Sequence, residues 1–170
     1  MKLRPIEPED LDFLYTIEND AEMWDSTDSD APYSRYALKR YVAASSSVYA
    51  SGELRLVVEV DDETAACVPV GTVQLSEFVP LAARAEVGIA MLREYRRRGY
   101  GLRALALLER IAVERLRIHT LYAVVAVTNE ASQGLFRQSG YRESACLTDW
   151  LYAGGRYVDA LLYTKVFQKK

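Results

Sequence analysis

Three arginines and two glycines stand together as Arg96, Arg97, Arg98, Gly99 and Gly101, in the stretch V-G-I-A-M-L-R-E-Y-R-R-R-G-Y-G-L-R-A from Val87 to Ala104. An apolar run ends at Met91, and a long apolar periodicity begins at Leu102. A helix opening at these glycines has first-turn N–H groups with no acceptor inside the helix. Those donors, the positive end of the helix dipole and the neighbouring guanidinium groups together suit an anion. Glycine lacks the Cβ that would hold an anion off the backbone. The pattern implies a cradle for the pyrophosphate of a nucleotide-type cofactor.

Such a cradle needs a strand before it and a helix after it. Glu86 to Met91 reads as the strand, and Leu102 to Leu116 as the helix, with Leu105, Leu108, Ala112 and Leu116 inward. Arg103, Arg110, Glu114 and Arg117 fall on its solvent stripe, and His119 is placed as a C-terminal cap. Thr120 to Val127 is almost wholly apolar, the pattern of a central strand buried on both faces. Strand, helix and strand then form a right-handed βαβ unit. Asn129 caps a short helix, Glu130 to about Gln138, that Gly140 ends.

Upstream, Lys2–Ile6 reads as a strand, and Pro8 opens a helix running to about Asn19. Ser34 caps a second helix, Arg35 to about Ala44. Glu53–Val60 and Val68–Phe78 read as strands, so the middle of the chain is an antiparallel meander ending in Glu86–Met91. Tyr141–Asp149 and Tyr157–Phe167 are the last strands, joined through W-L-Y-A-G-G-R.

Composition narrows the function. The chain has 170 residues, a net charge of −3 and a sequence pI near 5.3, which disfavours nucleic acid or an anionic membrane as a partner. The expectation is one domain, residues 1–170. Two cysteines, Cys67 and Cys146, and a single histidine make no metal cluster and no disulfide framework, so no metal is expected. The start carries no signal-peptide core and no run approaches a membrane span, so a cytoplasmic protein is the default.

Gly99, Gly101 and Ala104 also fit a dinucleotide fingerprint. Seven residues separate Met91 from Gly99, however, and Val127-Thr128-Asn129 stands where a ribose-binding acid is needed. The Gly-Lys-Ser/Thr of a nucleoside-triphosphate loop is absent. The order Arg96, two residues, Gly99, one residue, Gly101, after an apolar strand, resembles the signature of the GNAT superfamily of acetyl-CoA-dependent N-acetyltransferases. The element order β-α-α-β-β-β-α-β-α-β-β extends the likeness over nearly the whole chain. The segments L-R-P-I-E-P-E-D-L, F-R-Q-S-G-Y and G-R-Y-V-D-A-L-L-Y resemble the branch holding the ribosomal-protein N-terminal and spermidine/spermine N-acetyltransferases.

The resemblance implies an α/β (α+β) GNAT fold, a mixed, mostly antiparallel sheet splayed between strands 4 and 5. It implies acetyl-CoA as cofactor and a small-molecule or peptide amine as acceptor: a polyamine, a peptide N-terminus or an amino sugar. Ile89, Ala90 and Met91 are then expected to bond the pantetheine arm. Arg96, Arg97, Arg98, Gly99, Tyr100, Gly101, Leu102 and Arg103 are expected at the phosphates. Asn129 is either a pantetheine ligand across the gap or a plain helix cap. Ser132 and Phe136 stand on the helix that follows; in the family the Phe136 position commonly holds a tyrosine that protonates the leaving thiolate. Ser132 is a weak substitute for it, and Tyr141 reads as packing. That departure keeps an alternative open, a catalytically weak acyl-CoA-binding or regulatory module.

A primary amine, with a pKa of about 10.4, must lose a proton before it attacks a thioester. Glu86 and Glu77 are the carboxylates placed to take it, Glu86 preferred. Glu18, Asp20, Glu22, Asp25, Asp28 and Asp30 form either a solvated acidic loop or a lure for a cationic acceptor. Trp24, Tyr33, Trp150 and Tyr152 are open between acceptor pocket, core and dimer contacts. A homodimer is common among similar proteins.

Overall fold

A computed structural model describes residues 1–20, 32–44, 47–61 and 67–168. Its strands are β1 (Lys2–Pro5), β2 (Leu54–Asp61), β3 (Cys67–Val79), β4 (Arg84–Met91), β5 (Thr120–Ala126), β6 (Arg142–Ala153) and β7 (Arg156–Val166). The described helices are α1 (Leu11–Glu18), α2 (Arg35–Ala43), α3 (Val48–Ser51), α4 (Tyr100–Glu114) and α5 (Glu130–Gln138). Among the described residues, all seven strands join one sheet in the order β1-β2-β3-β4-β5-β7-β6. Every pairing is antiparallel except β4 with β5.

That parallel pair is short. It spans Arg84↔Thr120, Ala85↔Leu121 and Glu86↔Tyr122, and then stops. Beyond it β4 stays paired to β3 as far as Met91, and β5 to β7 as far as Ala126. Val87–Met91 and Ala123–Ala126 therefore run on as the two arms of a fork, each arm held from its outer side.

Side chains alternate across the arms. Ala85 and Val87 of β4 and Leu121, Ala123 and Val125 of β5 join the core, under a stripe of Ala104, Leu105, Leu108 and Ala112 on α4 that is wholly buried. Each buried leucine there contributes about 2 kcal/mol of transfer free energy. On the opposite face of β2, Val57 is buried while Arg55 pairs with Glu18 of α1 and Glu59 with Arg4. Thr72, opposite Val57, and Glu86, opposite Ser76, stand on that same face. β5 is thus half-buried on alternate residues rather than buried on both faces, because Tyr122 and Val124 look out on the open side.

Several boundaries depart from the sequence reading. α3 is too short to show helical periodicity; Ser47 caps it and Gly52, at φ +73°, ends it. α4 ends at Glu114, and Arg117 at φ +57° turns the chain away, with Ile118 N–H returning to Ala112 O at 3.0 Å, so His119 is not the cap. The His119 backbone instead bonds Ala83 O and Phe167 N–H. β6 continues past Asp149 (φ +50°) to Ala153, and the hairpin closes on Gly154 and Gly155. Trp150 and Tyr152 consequently belong to the end of an edge strand, exposed, with Tyr152 against Tyr157 at 5.3 Å. Glu22, Trp24, Asp25, Asp28 and Asp30 lie outside the described residues.

Candidate functional site

The fork is walled by backbone. Leu92 N–H donates to Val70 O at 2.9 Å. In an antiparallel ladder the backbone groups of successive residues face alternate neighbours. Gly88 and Ala90 therefore face β3, while Ile89 and Met91 face the gap. Gly71 fits this direction, since a Cβ there would stand 2.4 Å from Ala90 O. Ala90 is accordingly a correction to the expected trio of pantetheine contacts: its register with Thr72 turns its amide towards β3. The Met91 carbonyl accepts from Arg96 Nε at 2.9 Å.

At the wide end of the fork β4 passes through a 3-10 turn, Arg93–Tyr95, into α4. Gly99 caps α4 at φ +77°, a left-handed conformation that suits glycine, and Arg97 lies at φ +60°. The first helical bond runs from Arg103 N–H to Gly99 O at 3.2 Å. The N–H groups of Tyr100, Gly101 and Leu102 thus have no acceptor within the helix. A Cβ on Gly101 would lie 3.4 Å from Leu135 and 3.7 Å from Ile89, so the first turn of α4 is seated between α5 and β4. Nothing stands within 4 Å of the corresponding position on Gly99, which is the open side of the cradle.

The arginines divide. Arg97 and Arg98 are exposed beside the helix start, Arg98 lying 5.6 Å over the Tyr95 ring. Arg96 turns back instead, holding Met91 O with Nε and Asp20 Oδ2 with Nη2 at 3.1 Å. Arg103 lines a cavity of about 350 Å³ on the outer side of α4, with Met1, Ala106, Leu107 and Arg110. Asn129 Oδ1 accepts from Ser132 N–H at 3.0 Å and closes the first turn of α5 directly after β5. Two helix N-termini therefore flank the wide end, and both favour negative charge there.

The narrow end is acidic. Ser76, Glu86 and Tyr122 are in register across β3, β4 and β5 on one face. β3 bulges between Ser76 and Val79, with Glu77 at φ +50°. Tyr122 Oη donates to Glu77 Oε2 at 2.5 Å. Burial, that hydrogen bond and the nearby Glu86 hold the Tyr122 phenol well above the usual tyrosine range.

A sheet forked between the parallel strands β4 and β5, with a helix-terminus cradle at the open end, agrees with a match to the acetyltransferase (GNAT) domain over residues 1–142. The chain belongs to this family. It is an N-acetyltransferase that takes its acetyl group from acetyl-CoA. The spermidine N(1)-acetyltransferase of Escherichia coli K12 is 29% identical over 164 residues, covering 95% of this chain and 83% of that protein. The enzyme of the same name from Vibrio cholerae is 24% identical over 159 residues, 94% of this chain and 88% of that one. A crystal structure of Vibrio cholerae spermidine N-acetyltransferase in complex with CoA and spermine superposes with a TM-score of 0.84 at 24% identity, over 97% of this chain and 94% of that one. At that identity the superposition speaks for the fold.

The remaining GNAT expectations sort by position. Ser132 is half-buried on the first turn of α5. Phe136, 3% exposed, is built into the core, edge-on to Tyr141 at 5.1 Å and stacked on Tyr163 at 6.2 Å. It brings packing and no proton. Sequence reasoning passed over Tyr122, whose apolar surroundings hid it, and Gln133. The buried Gln133 side chain donates to Ala126 O at 3.2 Å and Val127 O at 2.9 Å, anchoring the end of the β5 arm to α5. A polar residue on the inward face of an amphipathic helix was the available signal. Among the described residues no helix is long and apolar enough to cross a membrane, and no group of metal-ligating side chains gathers.

Proposed function

We propose that this chain acetylates a primary amine of a small polycationic acceptor by direct attack on acetyl-CoA. The observation that carries the reading is the polarity of the fork: first-turn amides with no acceptor inside the helix stand beside Arg97 and Arg98 at its wide end, and two carboxylates at its narrow end. Ile89 and Met91 would bond the pantetheine arm as an added strand does. The first-turn amides of α4, with Arg97 and Arg98, would hold the diphosphate. Glu86 and Glu77 would then meet the acceptor where the acetyl group ends. Their charge favours an ammonium over a neutral or anionic acceptor.

Acetyl-CoA supplies the activated acetyl group. The chain's own residues orient it, keep the arms of the fork apart and take the proton that the attacking nitrogen must lose. A thiol of pKa about 8.5 leaves tolerably near neutrality, so Phe136 is compatible with turnover. The spermidine acetyltransferases named above support a polyamine as acceptor. One sheet running from Lys2 to Val166 supports reading residues 1–170 as one catalytic domain. A Vibrio cholerae spermidine N-acetyltransferase structure is described as dodecameric, which supports self-association here, checkable by light scattering.

Thiol release from acetyl-CoA, followed with spermidine, spermine, an N-terminal peptide and glucosamine, tests the reading. Turnover should be fastest with the polyamines. Preference for the peptide or the sugar would contradict the polycation assignment, and release from no acceptor would remove the reaction itself.

A further inference from the structure

We propose that Tyr122 is a catalytic residue of this transferase: its phenol oxygen accepts a hydrogen bond from the acceptor's attacking nitrogen and relays that nitrogen's proton to Glu77. The inference rests on the acetyl-transfer reading above and chooses between its two carboxylates.

Position is the first argument. Tyr122 is the last β5 residue paired to β4, so it stands at the vertex where the fork begins. It shares a face with Glu86 and Ser76, the face on which α1 packs over β2.

Direction is the second. The hydroxyl hydrogen is committed to Glu77 Oε2 at 2.5 Å. A carboxylate is acceptor-only, so the phenol offers a newcomer nothing but oxygen lone pairs. What fits there is an N–H donor, and Glu86 beside it adds negative charge. Glu77 is fixed for this contact by a backbone at φ +50° in the β3 bulge, a conformation unfavourable for a non-glycine residue. Without the bulge the side chain of Glu77 would fall on the face opposite Ser76 and away from Tyr122.

The charged groups around the phenol are Glu77 from β3 and Glu86 and Arg84 from β4. β7 presents the neutral Thr164 opposite Tyr122, with Arg142 of β6 beyond it. The balance favours protonated phenol and bound cation. In the relay an N–H bond of the ammonium breaks and its proton goes to Tyr122 Oη as the phenol's own proton moves to Glu77, which becomes a carboxylic acid. The freed nitrogen pair forms the C–N bond, the C–S bond breaks with its electrons on sulfur, and the second nitrogen proton passes to that thiolate as the intermediate collapses. The products are amide, thiol and one proton, returned from Glu77 to solvent.

The test compares full-length wild type with Tyr122→Phe, Glu77→Gln and the double variant, in thiol release with spermidine from pH 6 to pH 10 and in equilibrium CoA binding. The relay predicts a kcat lowered about 10- to 100-fold at pH 7 in each single variant, with unchanged CoA affinity and no further loss in the double variant. The deficit should shrink as pH approaches the amine's pKa, about 10.4, where no relay is needed. A Tyr122→Phe enzyme within threefold of wild type at pH 7, or a deficit equal at all pH values, overturns the relay while leaving acetyl transfer intact. A wild type inert towards every amine overturns the functional reading and the relay together.

Discussion

Arg96 and Asp20, 76 residues apart in sequence, meet at 3.1 Å, and the same guanidinium holds the Met91 carbonyl. The residue that opens the cradle motif therefore ties the end of α1 to the last residue of β4. Both side chains are about a third exposed, at 32% and 29%, so the ion pair is worth at most about 1 kcal/mol. If the cofactor diphosphate binds at the first turn of α4 as proposed, this pair would compete with it for the Arg96 charge.

Asp20→Asn should accordingly tighten CoA binding by up to about fivefold at low salt, since a 1.4 kcal/mol difference is tenfold. The gain should fade at high ionic strength. Isothermal titration of CoA into both proteins checks this. Weaker binding by the variant would mean that Asp20 orients Arg96 rather than competing for it.

The two cradle glycines should respond differently. Gly99→Val places a β-branched residue at φ +77° on the open side, where an anion would sit. It should cost about 1–2 kcal/mol of stability and abolish CoA binding. Gly101→Ala meets Leu135 at 3.4 Å, an ordinary contact, and should leave the melting temperature within a few degrees of wild type. Thermal melts and CoA titrations of the two variants separate strain from lost space.

Glu86 and Glu77 should split in steady-state kinetics. Glu86→Gln removes charge beside the acceptor without touching the Tyr122–Glu77 bond, so KM for spermidine should rise several-fold with kcat within threefold. Glu77→Gln should act on kcat instead. Reversed effects would move the proton's destination to Glu86.

Away from the site, Arg4 joins Glu59 and Asp10, and Lys2 also reaches Glu59 at 2.7 Å. The hydrogen bonds from Lys2 and Arg4 bring the Glu59 carboxyl down to about 2, and Asp10 is lowered too, chiefly by Arg4 against the opposing effect of burial. Lowered carboxyls stabilise the fold above their unfolded pKa, near 4, and that contribution is lost as pH falls through the folded value. Stability should therefore drop between about pH 4.5 and 2, and Glu59→Gln should flatten that drop. The variant should also lose about 1 kcal/mol at pH 7, since Arg4 keeps Asp10 but gives up one charged partner. Denaturant melts at stepped pH measure both; an unchanged acid limb would remove Glu59 as its cause.

Local signals were readable and long-range ones were not. Ser34 and Asn129 read as caps, and each accepts the predicted first-turn N–H, from Ala37 and from Ser132. The glycines at 99 and 101 read as a helix start because cap chemistry is local. Tyr122 was lost in an apolar run, since its partner depends on a β3 bulge that no spacing in the sequence announces. Arg96 looked like its two neighbours, and only the folded chain brings Asp20 to it. Ala90 counted with Ile89 and Met91 until register gave its amide to β3. Trp150 and Tyr152 read as loop residues because Asp149 at φ +50° interrupts β6 without ending it.

Residue-resolved amide hydrogen exchange with and without CoA tests the fork itself. The Ile89 and Met91 amides should gain protection when CoA binds, while Ala90, already held by β3, should not change. CoA bound with no added protection at Ile89 and Met91 would contradict the placement of the cofactor between the arms of β4 and β5.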